Sequence, residues 1–328
     1  MRRPNLFCVG AMKSGTTYFS QLLGSHPEIF ICAPREPCFF VDPNQLLRVW
    51  PYMWRCGFWR SEDSYLKLFA AAGEAKYMGD ASTPYSASPD VAARIHRFAP
   101  ESRILYVMRD PLERTIRHYW HAVNHFGETR KPLAAIRADP YYMAVSHYAR
   151  QLAPYLDYFG AQRVYTLTFE ELVARPVETM QSVYAWLGVD AALVPPEIDI
   201  PLNVTPDTVT QARGWVLALS RTALWRGIRP YRPEALRKLM ASFAVRRICP
   251  ADVSVTSVIE FLRPIQREQT RELSRLLNRG FPDWTALAES DDGLRRPLAF
   301  GRWRARKPVR ETERDVGAVS PNGRAYTK

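Results

Sequence analysis

The residues best placed to do chemistry begin with the chain's first glycines. The stretch "GAMKSGTT", Gly10 to Thr17, sets Gly10 and Gly15 around a lysine and a serine and follows them with two threonines. Glycines so placed let backbone N–H groups close around an anion, and a helix starting near Thr16 adds the positive end of its dipole. In a triphosphate loop, G-x-x-x-x-G-K-[ST], the lysine after the second glycine reaches the β- and γ-phosphates and the next hydroxyl binds magnesium. Here Thr16 holds that lysine's place and Lys13 lies inside the loop, before Gly15. An ammonium there would meet a single compact phosphate-linked group, which argues against a polyphosphate clamp. Lys13, Ser14, Gly15, Thr16 and Thr17 are the candidate anion contacts.

A second cationic position follows in "RILYVMRDPLERTIRHYWH". It reads as a strand that delivers Arg109 to its carboxyl end, with Asp110 as N-cap and Pro111 as first helical residue. Arg109 can fork onto a second phosphate or pair with Asp110 or Glu113. Arg117 lies about two helical turns further on and converges with Arg109 only if the strand-to-helix bend brings them together. A candidate base stands in "CAPREPCFF", where Arg35 and Glu36 sit between two prolines ahead of a Phe39-Phe40 anchor. A glutamate held there, near Lys13 and Arg35, can take a proton from an acceptor hydroxyl. His118, His121 and His125 read as one helix face, and no carboxylate or further histidine is spaced to complete a metal shell with them.

These side chains need a scaffold, and the hydrophobic pattern supplies one. "NLFCVG", "RILYVMRD" and "RVYTLTF" are short β-rich runs, each followed by a helical pattern, and "KYMGD" precedes a further helix. Such alternation predicts an α/β fold: a three-layer, P-loop-like parallel sheet flanked by helices. Ligands of such sheets bind beyond the carboxyl ends of the strands, which places Gly10–Thr17, Asp80–Tyr85 and Arg109–Arg117 around one cleft. The aromatic run 49–59 is expected to pack over the sheet, its alternatives being an acceptor-pocket lining or a membrane-surface contact. Residues 206–243 read as a basic helical cap inserted into a single domain spanning 1–300. Residues 301–328 read as a basic tail without apolar periodicity.

The chain has 328 residues, 47% of them hydrophobic, enough for one large core with a helical appendage. Its net charge of +12 favours anionic ligands. The five cysteines include no C-x-x-C pair and suggest neither a disulfide framework nor a zinc site, so a reducing, cytoplasmic compartment is expected. No apolar run is long enough to span a bilayer, and the first apolar run passes directly into the glycine loop as a strand rather than a signal peptide.

Together these stretches resemble the sulfotransferases that use 3′-phosphoadenosine 5′-phosphosulfate, in particular the heparan-sulfate type and its bacterial relatives. The opening signature G-x-x-K-[SG]-G-T is matched by Gly10 to Thr16, [KR]-E-x-x-F-F by "REPCFF", and R-[DEN]-P followed by an arginine by Arg109-Asp110-Pro111 and Arg114. The resemblance implies that the loop holds the 5′-phosphosulfate, that Glu36 is the catalytic base and that Arg109 grips the 3′-phosphate. It also implies an acceptor-side loop at "GDASTPYSASP", with Arg35, Asp80 and Ser82 as acceptor contacts, and late basic contacts at Arg246 and Arg247. Two departures stand out: Arg117 occupies the place of a family serine, and Ser82 that of a lysine some heparan enzymes carry. The implied reaction is O-sulfation by in-line displacement, without metal, with Lys13 stabilising the departing 5′-phosphate and the acceptor a small molecule, glycan or lipid. Peripheral membrane contact is compatible with this reading, and nucleic acid is not an expected partner. The alternatives are a P-loop kinase or NTPase, and a basic anion- or nucleic-acid-binding protein without catalysis.

Overall fold

A computed structural model describes residues 2–45, 61–199, 208–212 and 245–288. The aromatic run 49–59, the tail 301–328 and most of the expected cap lie outside these residues.

Five strands form one sheet: β1 (Leu6–Gly10), β2 (Ile29–Ile31), β3 (Tyr77–Ala81), β4 (Arg103–Met108) and β5 (Val164–Thr168). Their order is β2-β3-β1-β4-β5, and every neighbouring pair is parallel. The central strands are continuous apolar runs because both of their faces are covered. Phe7 and Val9 of β1, with Ile104, Tyr106 and Met108 of β4, enter one hydrophobic cluster. Leu6 and Cys8, with Leu105 and Val107, enter the other. That alternation is the strand period of two, and it makes the sheet the middle of three layers.

Helices α1 (Thr16–Gly24) and α2 (Pro176–Leu187) cover one face, through Phe19, Leu22 and Leu23 and through Met180, Val183 and Leu187. The other face carries, among others, the helices Val91–Phe98, Pro111–His121, Tyr148–Phe159 and Thr256–Leu277. Their buried contacts include Ile95, Ile116, Leu152 and Leu262. Burying one such Leu or Ile contributes roughly 1.5–3 kcal/mol. The chain leaves β1 toward β2, and later crosses from β3 over β1 to β4, so the strand order reverses between β1 and β4. In sheets of this kind the crevice lies there.

One expected element is corrected. Val209–Ala212, inside the segment read as a helical cap, is a strand, β6, paired antiparallel with β7 (Val245–Ile248). The partner lies more than thirty residues away in sequence, so local helical pattern could not reveal the pairing. Residues 213–243 lie outside the described residues. Among the described residues no helix is long and apolar enough to cross a membrane.

Candidate active site

Strand β1 ends at Gly10, where a β-carbon would stand 2.3 Å from Ser86 Oγ; only glycine lets the two segments approach so closely. The chain then loops through Lys13 and enters α1 at Gly15, whose φ of 86° is in the left-handed region. Gly15 offers no side-chain cap, so the first N–H groups of α1 keep their donor capacity. Ser14 and Thr16 are buried, whereas Lys13, Gly15 and Thr17 are half-buried. Ser14 Oγ, fully buried, has no hydrogen-bond partner among the described residues. A buried hydroxyl left in this way beside uncapped N–H groups fits a site built to receive acceptor oxygens.

Burial pulls the Lys13 ammonium down to about 8, opposed by the nearby Glu36 carboxylate and reinforced by the Arg114 charge. Among the described residues no carboxylate lies within ion-pair distance of Lys13 or of Arg114. Arg114 is completely buried. Its guanidinium has only neutral partners: Nε donates to Ser146 Oγ at 2.5 Å, Nη1 to His118 Nδ1 at 3.4 Å, and Nη2 to Thr115 Oγ1 at 3.0 Å and to the Tyr142 carbonyl. Burial lowers Arg114 to about 10, so it stays charged at neutral pH.

Glu36 stands across from Lys13 in the loop after β2. Its Oε1 accepts the Thr83 hydroxyl at 2.6 Å, which fixes the carboxylate plane and leaves Oε2 for another partner. Glu36 and Cys38 have φ of 58° and 54°, a region that non-glycine residues enter only when their surroundings hold them there. The hold comes from below. Cys38 N–H donates to Ser82 Oγ at 3.1 Å, and Ser82 donates to Asp80 Oδ1 at 2.6 Å. Asp80 Oδ2 takes the Tyr65 and Tyr85 hydroxyls, each at 2.7 Å.

Asp80 and Ser82, expected as acceptor contacts, lie inside this brace. Both are 0% exposed and their polar atoms are committed to this brace. Burial raises the Asp80 carboxyl to about 6. Arg35 is exposed on the same loop.

Strand β4 delivers Arg109, and Asp110 caps the following helix by accepting Leu112 N–H at 2.9 Å, with Pro111 in its first turn. Arg109 is ion-paired with Glu113, Nη2 to Oε2 at 2.7 Å, and its Nη1 has no protein partner among the described residues. The guanidinium lies 4.2 Å over the Phe169 ring. Arg117 shares this neighbourhood: burial first, then the Arg109 charge, lower it to about 10, with Glu113 and Glu170 opposing. The bend does bring the two arginines together, around two glutamates. Glu170 is pushed up to about 7 by burial.

The histidines face the loop. Burial first, together with the Lys13 charge, pushes His118 well below its usual range, His121 to about 3 and His125 down as well. A π-helical turn, Ala122–Phe126, contains His125, and the β6–β7 pair docks on it, with Thr210 N–H donating to Asn124 Oδ1 at 3.2 Å. Arg246 and Arg247 are exposed on β7, and no contact among the described residues joins them to Arg109. Among the described residues no group of three or more His, Cys, Asp or Glu is arranged to hold a metal ion.

Sequence reasoning missed Thr83, Glu170 and Phe169, and met Arg114 only as part of a motif. Each acts through a contact with a residue far away in the chain, although Thr83 lies within the quoted "GDASTPY".

A model of the Sulfotransferase family matches residues 62–192. The chain is 24% identical over 129 residues to the membrane-associated sulfotransferase kil1 of Dictyostelium discoideum, covering 39% of this chain and 25% of that protein. It is 23% identical over 209 residues to the human bifunctional heparan sulfate N-deacetylase/N-sulfotransferase 2, covering 57% of this chain and 22% of that protein. The chain thus spans about a quarter of the length of these curated relatives. Among solved structures, a sulfotransferase from Alicyclobacillus acidocaldarius superposes with a TM-score of 0.62 at 25% identity, covering 87% of this chain and 99% of that one. The chain is thus similar to the sulfotransferase family in sequence over residues 62–192 and shares its fold with that bacterial sulfotransferase.

Proposed function

We propose that the protein moves a sulfuryl group from 3′-phosphoadenosine 5′-phosphosulfate to an acceptor hydroxyl. The observation that carries this reading is the unbalanced positive charge at the loop. Lys13 and the buried Arg114 have no carboxylate within ion-pair distance among the described residues, and both stand by the uncapped start of α1. Buried charge without a counter-charge is costly, and an anionic ligand supplies the missing partner.

The donor supplies an activated sulfuryl group. The N–H groups at the start of α1, with the Thr16 and Thr17 hydroxyls, hold its 5′ end, and Lys13 bears on the charge that gathers on the leaving oxygen. Glu36 Oε2 receives the acceptor's proton while Thr83 keeps Oε1 in place. Arg109 offers Nη1 to the 3′-phosphate, with Arg117 adding positive charge beside it. The acceptor class is a carbohydrate, glycolipid or small natural product bearing a hydroxyl, and the protein is expected to work in a cytoplasm.

The test follows sulfur-labelled donor into acceptor fractions by mass spectrometry. Glu36→Gln is expected to lower turnover by roughly 10²–10⁴ while leaving the donor dissociation constant nearly unchanged. Wild-type turnover in that variant would remove Glu36 from the reaction. Magnesium-dependent ATP hydrolysis without sulfuryl transfer would replace this reading by an NTPase.

A further inference from the structure

We infer that the Phe169 ring is the spacer between the two anion-binding places, setting the separation of the Gly15 loop and the Arg109 guanidinium so that one nucleoside carrying two anionic groups spans them. This deepens the reading above and rests on it.

Three adjacent strands meet at this point. Gly10 ends β1, Arg109 follows β4 and Phe169 follows β5; Met108 pairs in register with Thr168, so Arg109 and Phe169 leave neighbouring strands at the same level. Phe169 carries the Arg109 guanidinium at 4.2 Å from its centroid. The same ring fills the space over Gly15, where a β-carbon would stand 2.3 Å from Cδ2 and 2.7 Å from Cε2. One side chain thus touches both the loop and the arginine, which lie more than ninety residues apart in sequence.

The ring is held firmly. Phe169 opens the helix Phe169–Ala174 behind a reciprocal cap, in which Thr168 Oγ1 accepts Glu171 N–H and Glu171 Oε2 accepts Thr168 N–H. The next residue, Glu170, takes Asp110 N–H on Oε1 at 3.0 Å and Trp284 Nε1–H on Oε2 at 3.2 Å, tying the helix start to the turn that holds Arg109. A planar ring with two torsions, anchored at its backbone, makes a stiff separator. Its face also attracts the guanidinium it positions.

A simple structural role would lower affinity for every nucleotide alike, whereas a spacer acts on the advantage of carrying both anions. The experiment measures, by calorimetry, binding of adenosine 3′,5′-bisphosphate and adenosine 5′-monophosphate to wild type, Phe169→Leu and Phe169→Tyr. Wild type is expected to prefer the bisphosphate. Phe169→Leu is expected to shrink that preference by about tenfold while changing monophosphate binding little, and Phe169→Tyr to restore it. Should Phe169→Leu not fold, Phe169→Met carries the same comparison. An unchanged preference in the folded variant that lacks the ring would overturn the spacer role alone. Absence of any bisphosphate preference in wild type would instead overturn the donor reading, and the spacer role with it.

Discussion

In the proposed reaction Lys13 is the residue on which the chemistry turns, and its environment makes a pH-dependent statement. Burial brings its ammonium down to about 8, so the charged form prevails at neutral pH and is lost as pH rises through that value. For the free enzyme, kcat/KM is expected to fall about tenfold per pH unit above 8. Lys13→Arg, if active, should lose that alkaline limb because a guanidinium stays charged. A wild-type profile flat to about pH 10 would show that the Lys13 charge is not used. Lys13→Ala is expected to cost roughly 10²–10³ in kcat, the scale of one preorganised contact at a developing anion.

At the scale of elements, the loop after β2 and the end of β3 work as one piece. Ser82 joins Cys38 N–H to Asp80, and the two tyrosines close the brace. Ser82→Ala leaves a buried N–H and a buried carboxylate oxygen each short of a partner, with an expected loss of about 1–3 kcal/mol in chemical denaturation. Since that brace holds Glu36 in its left-handed conformation, kcat should fall while donor affinity does not; an unchanged kcat would separate the brace from the base.

Asp80 adds a pH signature of its own. Its folded value, about 6, lies above the ordinary 3.8, so the folded chain keeps a proton that the unfolded chain releases. This carboxyl therefore contributes stability that is present below pH 3.8 and is lost as pH rises through 6. Urea titrations of wild type and Asp80→Asn between about pH 4 and 6 should show wild type losing stability relative to the variant as pH rises.

For the whole molecule, the proposed reaction has the net charge of +12 and the crevice at the sheet's switch point acting together on an anionic donor. Long-range attraction is screened beyond about 10 Å at 0.1 M salt, so kcat/KM for the donor should fall several-fold between low and moderate salt while kcat changes little. A kcat that fell in parallel would place the salt effect in the reacting site rather than in approach. The sheet itself was largely legible beforehand. All four runs singled out in the sequence became strands of the sheet, because strands covered on both faces must be apolar throughout. The antiparallel β6–β7 pair was not legible, since a strand of four residues gains its identity from a partner that local pattern does not name.

By itself the sequence determined the parallel α/β scaffold, the loop with its lysine before the second glycine, the Asp110-Pro111 helix start and the placing of Glu36 on a proline-bounded turn. Local rules govern all of these: strand period, helix capping and glycine's access to positive φ. Only the tertiary structure decided that Arg109 pairs with Glu113, that Arg117 joins it, that Arg114 is buried without an acidic partner, and that Asp80 faces inward to two tyrosines. It alone put Phe169 between the loop and the arginine. Charge pairing and burial depend on which distant segments the sheet brings side by side, and the order β2-β3-β1-β4-β5 is settled by packing both faces at once rather than by any one stretch of residues.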